Sequence, residues 1–112
     1  MREPKLNRSL VLETAVRVTD GAGGYTTRWE PLGVVWAEVV GKTGRHLQQG
    51  QHAAALQAVR ITMRAAPQGA VSRPKAGQRL LEGTRTYEII AVADHPRDPR
   101  FLVCDTQEVV SA

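Results

Sequence analysis

The chain has 112 residues, a length that suits one domain (residues 1–112) with a modest hydrophobic core. Aromatic residues make up only 4%, too few for the stacking platform of a single-stranded nucleic-acid-binding barrel, and the single cysteine, Cys104, excludes an internal disulfide. The net charge is +4, and no apolar run approaches the roughly 18 residues of a membrane span.

Positive charge is concentrated in the middle of the chain. No Asp or Glu occurs between Val39 and Leu81, so this window carries +7 and the remainder carries −3. Its seven bases are Lys42, Arg45, Arg60, Arg64, Arg73, Lys75 and Arg79. Such segregation gives one side of a domain a positive field, although a solvated basic face has the same composition.

The first third of the chain predicts a β-hairpin and a buried strand. The apolar residues of the first strand alternate and share one face: Leu10, Leu12, Val16 and Val18. The glycine-rich stretch 20–24 turns the chain into a second strand, 25–30, which Pro31 and Gly33 close. Gly33–Val40 is almost wholly apolar, which predicts a strand covered on both faces with Trp36 in the core.

The middle of the chain predicts a long loop and then another strand. Gly41–Ala55 has few apolar residues and is expected to be the most mobile segment, with a short helical turn at His52–Leu56 as an option. Leu56–Ala65 alternates, which places Ile61 and Met63 inward. The outward residues of this strand are Arg60, Thr62 and Arg64.

The last third predicts strands separated by turns. Ala66–Gly77 is a second loop, rich in proline and glycine. Three strands are predicted after it: Gln78–Glu82, Thr86–Ala93 with Tyr87 and Ile89 in the core, and Arg100–Val110. The pattern therefore predicts an all-β fold, a small antiparallel barrel or sandwich of about seven strands with one long loop at about 41–55.

Signatures of catalysis and of cofactor binding are missing. The sequence contains no nucleophile elbow, phosphate-binding loop or zinc-protease motif, and its carboxylates are scattered singly. His46 and His52 lie in the predicted loop with no carboxylate between them, which is a poor metal site. We therefore expect no enzymatic activity, no cofactor and no bound metal.

A set of short motifs, in a fixed order, resembles a known family. In chain order they are Leu6-Asn7-Arg8, Asp20-Gly21-x-Gly23-Gly24-Tyr25 with Trp29 four residues later, Val35-Trp36-Ala37-Glu38-Val39, Arg60-Ile61-Thr62-Met63-Arg64 and Leu81-Glu82-Gly83-Thr84-Arg85-Thr86-Tyr87-Glu88-Ile89. Together they resemble the siphophage head–tail joining (head-closure or stopper) proteins of prophages and alphaproteobacterial gene transfer agents. The resemblance covers nearly the whole chain.

The resemblance implies a structural role at the head–tail interface of a virion or gene transfer agent particle assembled in the host cytoplasm. It implies a homo-oligomeric ring, six subunits or alternatively twelve, between the portal–adaptor ring and the tail terminator or tail tube. Such a ring seals the filled head and docks the tail, without contact to a membrane. Packaged double-stranded DNA passes through the channel, where any contact is independent of base sequence.

The bases of the acid-free window are the candidate site residues of such a ring. A loop of about 15 residues, running out and back, projects at most about 25 Å. Lys42, Arg45 and His46 are therefore the candidates for a loop that faces DNA in the channel; alternatively, the loop packs on a neighbouring ring. Four further bases are candidates for a basic face or a contact between subunits: Arg60, Arg64, Arg73 and Lys75.

Three other functions remain open at this level. A tail-terminator or tail-completion protein would cap the tail and commonly has helices packed on a sheet, whereas this sequence predicts no long amphipathic helix. A small nucleic-acid-binding barrel would need more aromatic residues on its exposed strands. A small hydrolase subunit would need a nucleophile with a base and an orienting group, which no sequence arrangement suggests.

Overall fold

The structure is a computed structural model that describes residues 3–41, 47–48 and 54–111. Its regular elements are seven strands: β1 (Arg8–Thr19), β2 (Tyr25–Gly41), β3 (Leu47–Gln48), β4 (Ala54–Arg64), β5 (Arg79–Glu82), β6 (Arg85–Asp94) and β7 (Phe101–Ser111). No helix occurs within the described ranges. The predicted all-β class is confirmed.

Six of the strands close into a barrel. The order in the sheet is β2-β1-β5-β6-β7-β4, and β2 pairs with β4 to complete the ring. Every pairing is antiparallel, and β3 lies outside the ring, paired with β4. Closing the sheet on itself leaves the barrel strands with partners on both sides, which is how small all-β proteins avoid open edges.

The core is aliphatic and fills the barrel. Its buried residues are Leu10, Leu12, Ala37, Val59, Ile61, Met63, Leu80, Tyr87, Ile89, Leu102 and Cys104. Four of the five residues predicted for the core, Ile61, Met63, Tyr87 and Ile89, are at most 2% exposed. Side chains of alternating strand residues meet inside the barrel because successive Cβ atoms point to opposite faces of a sheet.

One part of the sheet extends past the barrel as a two-stranded arm, which we define as residues 14–30. β5 pairs with β1 only at Val11–Glu13, and β4 pairs with β2 only at Ala37–Gly41. Residues 14–19 and 25–30 therefore pair only with each other. Val18, predicted to share the buried face of Leu10 and Leu12, is 37% exposed because it lies on this arm, beyond the core.

The tip of the arm is a closed turn organised by Asp20. Its Oδ1 atom accepts hydrogen bonds from the N–H groups of Ala22 (2.8 Å) and Gly24 (3.0 Å), and these bonds lower the pKa of the carboxyl. Gly21 and Gly23 have φ of 79° and 86°, a region that residues with a Cβ rarely adopt. The predicted turn at 20–24 is confirmed.

β2 is one strand, whereas the sequence predicted two strands separated at Pro31 and Gly33. The chain passes this point through an irregularity: Leu12 lies opposite Gly33 and Glu13 opposite Pro31, so Leu32 has no partner on β1. A bulge of this kind absorbs an extra residue and bends the strand without ending it. The proline therefore interrupts the register, but not the strand.

The predicted long loop, 41–55, contains more strand than expected. Gly41 ends β2, Ala54 and Ala55 begin β4, and Leu47–Gln48 form β3. The optional helical turn at His52–Leu56 is wrong for Ala54–Leu56, because β7 extends to Ser111 and offers these residues a hydrogen-bonding partner. The second loop, Ala66–Gly77, contains no strand, as predicted.

Candidate assembly surfaces

The outer face of β2 presents large apolar side chains to solvent. Val34 is 61% exposed, Trp36 57% and Val40 45%, while Val35 and Ala37 point toward the core. The predictions that this strand is covered on both faces and that Trp36 lies in the core are wrong. A barrel strand has only one face inside, and a run that is apolar on both faces does not reveal which one.

A groove of about 460 Å³ lies beside Trp36. The groove is lined by residues from three parts of the chain: Leu6 from the N-terminal segment, Val34 on β2, and Arg64 and Ala66, which lie at the end of β4 and in the loop after it. Its surface is thus mainly apolar, with one guanidinium at its border. Exposed apolar patches with tryptophan and arginine are typical of protein–protein contacts. We call this surface the Trp36 groove.

Arg60 and Arg64, two of the four bases predicted to form a basic face, are exposed on the outer side of β4. The guanidinium of Arg64 lies 5.9 Å from the centre of the Phe101 ring. Thr62, predicted to point outward between them, is only 6% exposed, so this face of the strand is partly covered by other residues of the chain. The two arginines are available to a partner.

The other two predicted bases lie in the loop between β4 and β5 and differ from each other. The Arg73 side chain is mostly buried: its Nη1 atom donates to the carbonyl oxygen of Ala66 at 2.9 Å and lies 3.6 Å from Oδ1 of Asp94. Arg73 therefore stabilises the loop and is not a freely exposed cation. Lys75, in contrast, is exposed.

The three bases predicted to face DNA, Lys42, Arg45 and His46, lie outside the described residues. The neighbouring strands show where their segment is attached. It follows Gly41, the last residue of β2, and precedes Leu47, the first residue of β3, which pairs with Leu56 of β4.

A partly buried ion pair joins β6 and β7, with a buried carboxylate and a half-exposed guanidinium. Glu108 is 6% exposed and accepts two hydrogen bonds from Arg85, with Nε–Oε2 and Nη2–Oε1 distances of 2.7 and 2.8 Å. This fork geometry is the strong form of a guanidinium–carboxylate contact. The hydrogen bonds from Arg85 hold the pKa of Glu108 below its usual value, although burial opposes the shift.

A second pair lies beside the first. Arg8 donates through both Nε and Nη2 to the carboxylate of Glu82, which the Tyr87 hydroxyl also approaches at 3.4 Å. The hydrogen bond from Arg8 lowers the pKa of Glu82, and burial raises the pKa of Tyr87. Carboxylates held ionised and fully engaged in this way suit a structural role better than proton transfer at neutral pH.

The sequence analysis predicted neither ion pair. Glu82 and Arg85 flank the turn at Gly83, which is a local signal, but their partners are 74 and 23 residues away in the chain. The order of strands in the sheet brings β1 beside β5, and the register of β6 on β7, with Tyr87 opposite Glu108, brings Arg85 close to Glu108. Charged residues at these spacings read as isolated surface charges until the register is known.

The thiol of Cys104 is not activated as a nucleophile. Cys104 is fully buried, and burial raises its pKa to about 12, so the group is a neutral thiol at physiological pH. Across the described ranges, no three His, Cys, Asp or Glu side chains are placed to hold a metal ion. Within the same ranges, no helix has the length and apolar character to cross a membrane.

Comparisons with known proteins place the whole chain in one group. Residues 1–109 match the family described as phage head completion proteins. A chain in the solved structure "Virion of native gene transfer agent (GTA) particle" is 45% identical, with a TM-score of 0.86. That alignment covers 98% of this chain and 100% of the other. No curated protein sequence matches the chain.

Proposed function

Because the chain belongs to the phage head completion protein family, we propose that it is a head-closure subunit of a tailed phage or gene transfer agent. In this role, copies form a ring between the portal–adaptor assembly and the tail, retain the packaged DNA and dock the tail. The observation that carries the proposal is the family match over residues 1–109, together with the 45% identical chain from a gene transfer agent virion. The ring has six copies, or alternatively twelve.

The surface of the barrel supports assembly into a ring. A rotationally repeated ring needs two different contact surfaces on each subunit, because one face of a copy meets another face of the next. The Trp36 groove is one apolar surface. A second groove, of about 480 Å³, includes Trp29, Arg79 and Ile90, and Ile90 is 50% exposed. These two grooves are the candidates for the two different contact surfaces.

The role in DNA retention rests on charge. Lys42 and Arg45 lie in a window of the sequence that contains no acidic residue, in the segment that directly follows Gly41, the last residue of β2. Repeated around a ring, these bases would surround the channel with positive charge. Contacts between lysine or arginine and phosphate are independent of sequence and weaken steeply as salt rises. The proposed role is structural and involves no catalytic step.

Reversing these two charges tests the DNA-retaining role. We expect particles with Lys42→Glu and Arg45→Glu to contain the protein in normal amount but to lose DNA, measured as nuclease sensitivity of filled heads before tail attachment. The loss should be greatest at low ionic strength, where the reversed charges repel DNA with the least screening. The control is Arg97→Glu with Arg100→Glu, which makes the same change in charge at two exposed positions outside this segment.

Two outcomes of this experiment separate the parts of the proposal. Equal nuclease resistance of both variants and the parent at low salt would contradict retention by the basic segment and leave ring formation standing. Absence of the parent protein from purified particles would contradict the head-closure function itself.

A further inference from the structure

The arm has two open backbone edges. In an antiparallel pair, residues alternate between those that exchange hydrogen bonds with each other and those whose N–H and C=O groups point away. The Asp20 N–H donates to the Gly24 carbonyl at 3.1 Å, which fixes this alternation for the arm. Counting back from Asp20 and Gly24, every second opposing pair exchanges backbone hydrogen bonds. These pairs are Val18 with Thr26, Val16 with Arg28, and Thr14 with Glu30.

The remaining residues of the arm direct their backbone groups outward. On β1 these are Ala15, Arg17 and Thr19, and on β2 they are their partners Trp29, Thr27 and Tyr25. Within the described part of the chain, no strand pairs with β1 between Thr14 and Thr19 except β2, and the same holds for β2 between Tyr25 and Glu30. Each edge thus offers three N–H and three C=O groups to a partner.

The two edges have the same length and end at the same level. On β1, β5 covers the outward edge up to Glu13. On β2, Pro31 lies opposite Glu13, at a position whose backbone groups point outward. Because proline has no N–H, the row of outward-pointing donors on β2 ends before this residue. The usable edges are therefore residues 14–19 and 25–30, six residues each.

The β1 edge lacks the devices that keep monomeric proteins from pairing through exposed strands. Such edges are commonly protected by proline, bulges or several charged side chains. Residues 14–19 contain β-branched residues at Thr14, Val16, Val18 and Thr19, a single charge at Arg17, and no proline. Their composition favours strand addition.

We propose that the β1 edge of each arm pairs with the β2 edge of the arm in the next copy of this chain, which joins the arms into a continuous sheet around the ring. The inference rests on the proposed ring. The two strands of an arm run in opposite directions, so copies related by rotation place β1 beside the next β2 in the antiparallel sense. Arg17 would then lie near Thr27 of the next copy. Within each copy, Arg28 and Glu30 form an ion pair at 2.7 Å, so their charges neutralise each other. No like charges are brought together.

A proline substitution tests the backbone contact without altering a large side chain. Ala15 is exposed, and its N–H points outward. Ala15→Pro removes that donor, whereas the matched Ala15→Ser keeps it. We expect both variants to fold, with incorporation of Ala15→Pro into purified particles reduced about tenfold or more, the scale expected when every interface loses a backbone hydrogen bond. Equal incorporation of the two variants would overturn the inference.

Crosslinking provides a second measurement that does not depend on proline. Two variants, Arg17→Cys and Thr27→Cys, are produced together and assembled into particles, which are then treated with a short bismaleimide. Both positions are exposed, and native Cys104 does not react because it is buried with a pKa of about 12. We expect crosslinks between one chain of each variant.

The outcomes distinguish the arm contact from the ring. Crosslinks that join only identical variants would indicate a two-fold contact and overturn the inference. Crosslinks to a different particle protein, or no crosslinks in particles with a normal number of copies, would also overturn it while leaving the ring intact. A single copy of the chain in each particle would instead contradict the proposed function.

Discussion

Replacing Ile61 with alanine is expected to lower the free energy of unfolding by about 2–5 kcal/mol, because the side chain is fully buried and its removal leaves a cavity in the barrel. Replacing Trp36 with alanine should cost about 1 kcal/mol or less, although the side chain is larger, because more than half of it is exposed. Chemical denaturation of the two variants beside the parent measures both values.

The same pair of variants separates folding from assembly. We expect Trp36→Ala to fold but to be incorporated into particles poorly, because the Trp36 groove loses its largest apolar side chain. A comparable loss of stability in the two variants would show that Trp36 packs as a core residue. Normal incorporation of Trp36→Ala would show that the Trp36 groove is not a contact surface of the ring.

Replacing Arg85 with alanine is expected to lower the free energy of unfolding by about 2–3 kcal/mol, because Glu108 remains buried without its partner. The value lies below that of a fully buried pair, since the Arg85 side chain is half exposed and water can reach the vacated position. Arg100→Ala is the control. Arg100 makes a similar contact with Asp98 on the surface, and its loss should leave the unfolding midpoint unchanged.

The effect of Arg85→Ala should depend on pH. In the parent, the pKa values of Glu108 and Glu82 are lowered by their arginines, so both pairs stabilise the fold above the unfolded pKa of about 4.3. This contribution is lost as the pH falls through the lower folded values. In the variant, protonation of Glu108 relieves the burial of an unpaired charge. The difference in stability between parent and variant should therefore begin to narrow above the unfolded pKa of about 4.3, where Glu108 of the variant becomes protonated, and narrow further below it; a constant difference would contradict the pair's role.

The sequence was sufficient for those features that depend on local pattern. Alternation identified Ile61 and Met63 as core residues, and the glycines at 21 and 23 identified the turn of the arm. It failed for Trp36, because β2 is apolar on both faces and the pattern contains no contrast between inside and outside. Many short strands with turn signals between them indicated an all-β barrel or sandwich, whereas the closed order of the strands depends on contacts between residues far apart in the chain.

The candidate surfaces were predictable only in part. Clustering of positive charge indicated Arg60 and Arg64, which are exposed, but it also indicated Arg73, which is engaged with Ala66 and Asp94. The open edges of the arm are a property of the backbone. They become apparent only when the register shows that β5 ends its pairing with β1 at Glu13.

The central claim, that this chain forms a ring between the filled head and the tail, is tested most directly by electron cryomicroscopy of the head–tail junction in purified particles. The account predicts a ring of barrels of this fold, six or alternatively twelve, surrounding the DNA channel between the portal–adaptor assembly and the tail. Density for the barrel at another location, or as a single copy away from the channel, would contradict it.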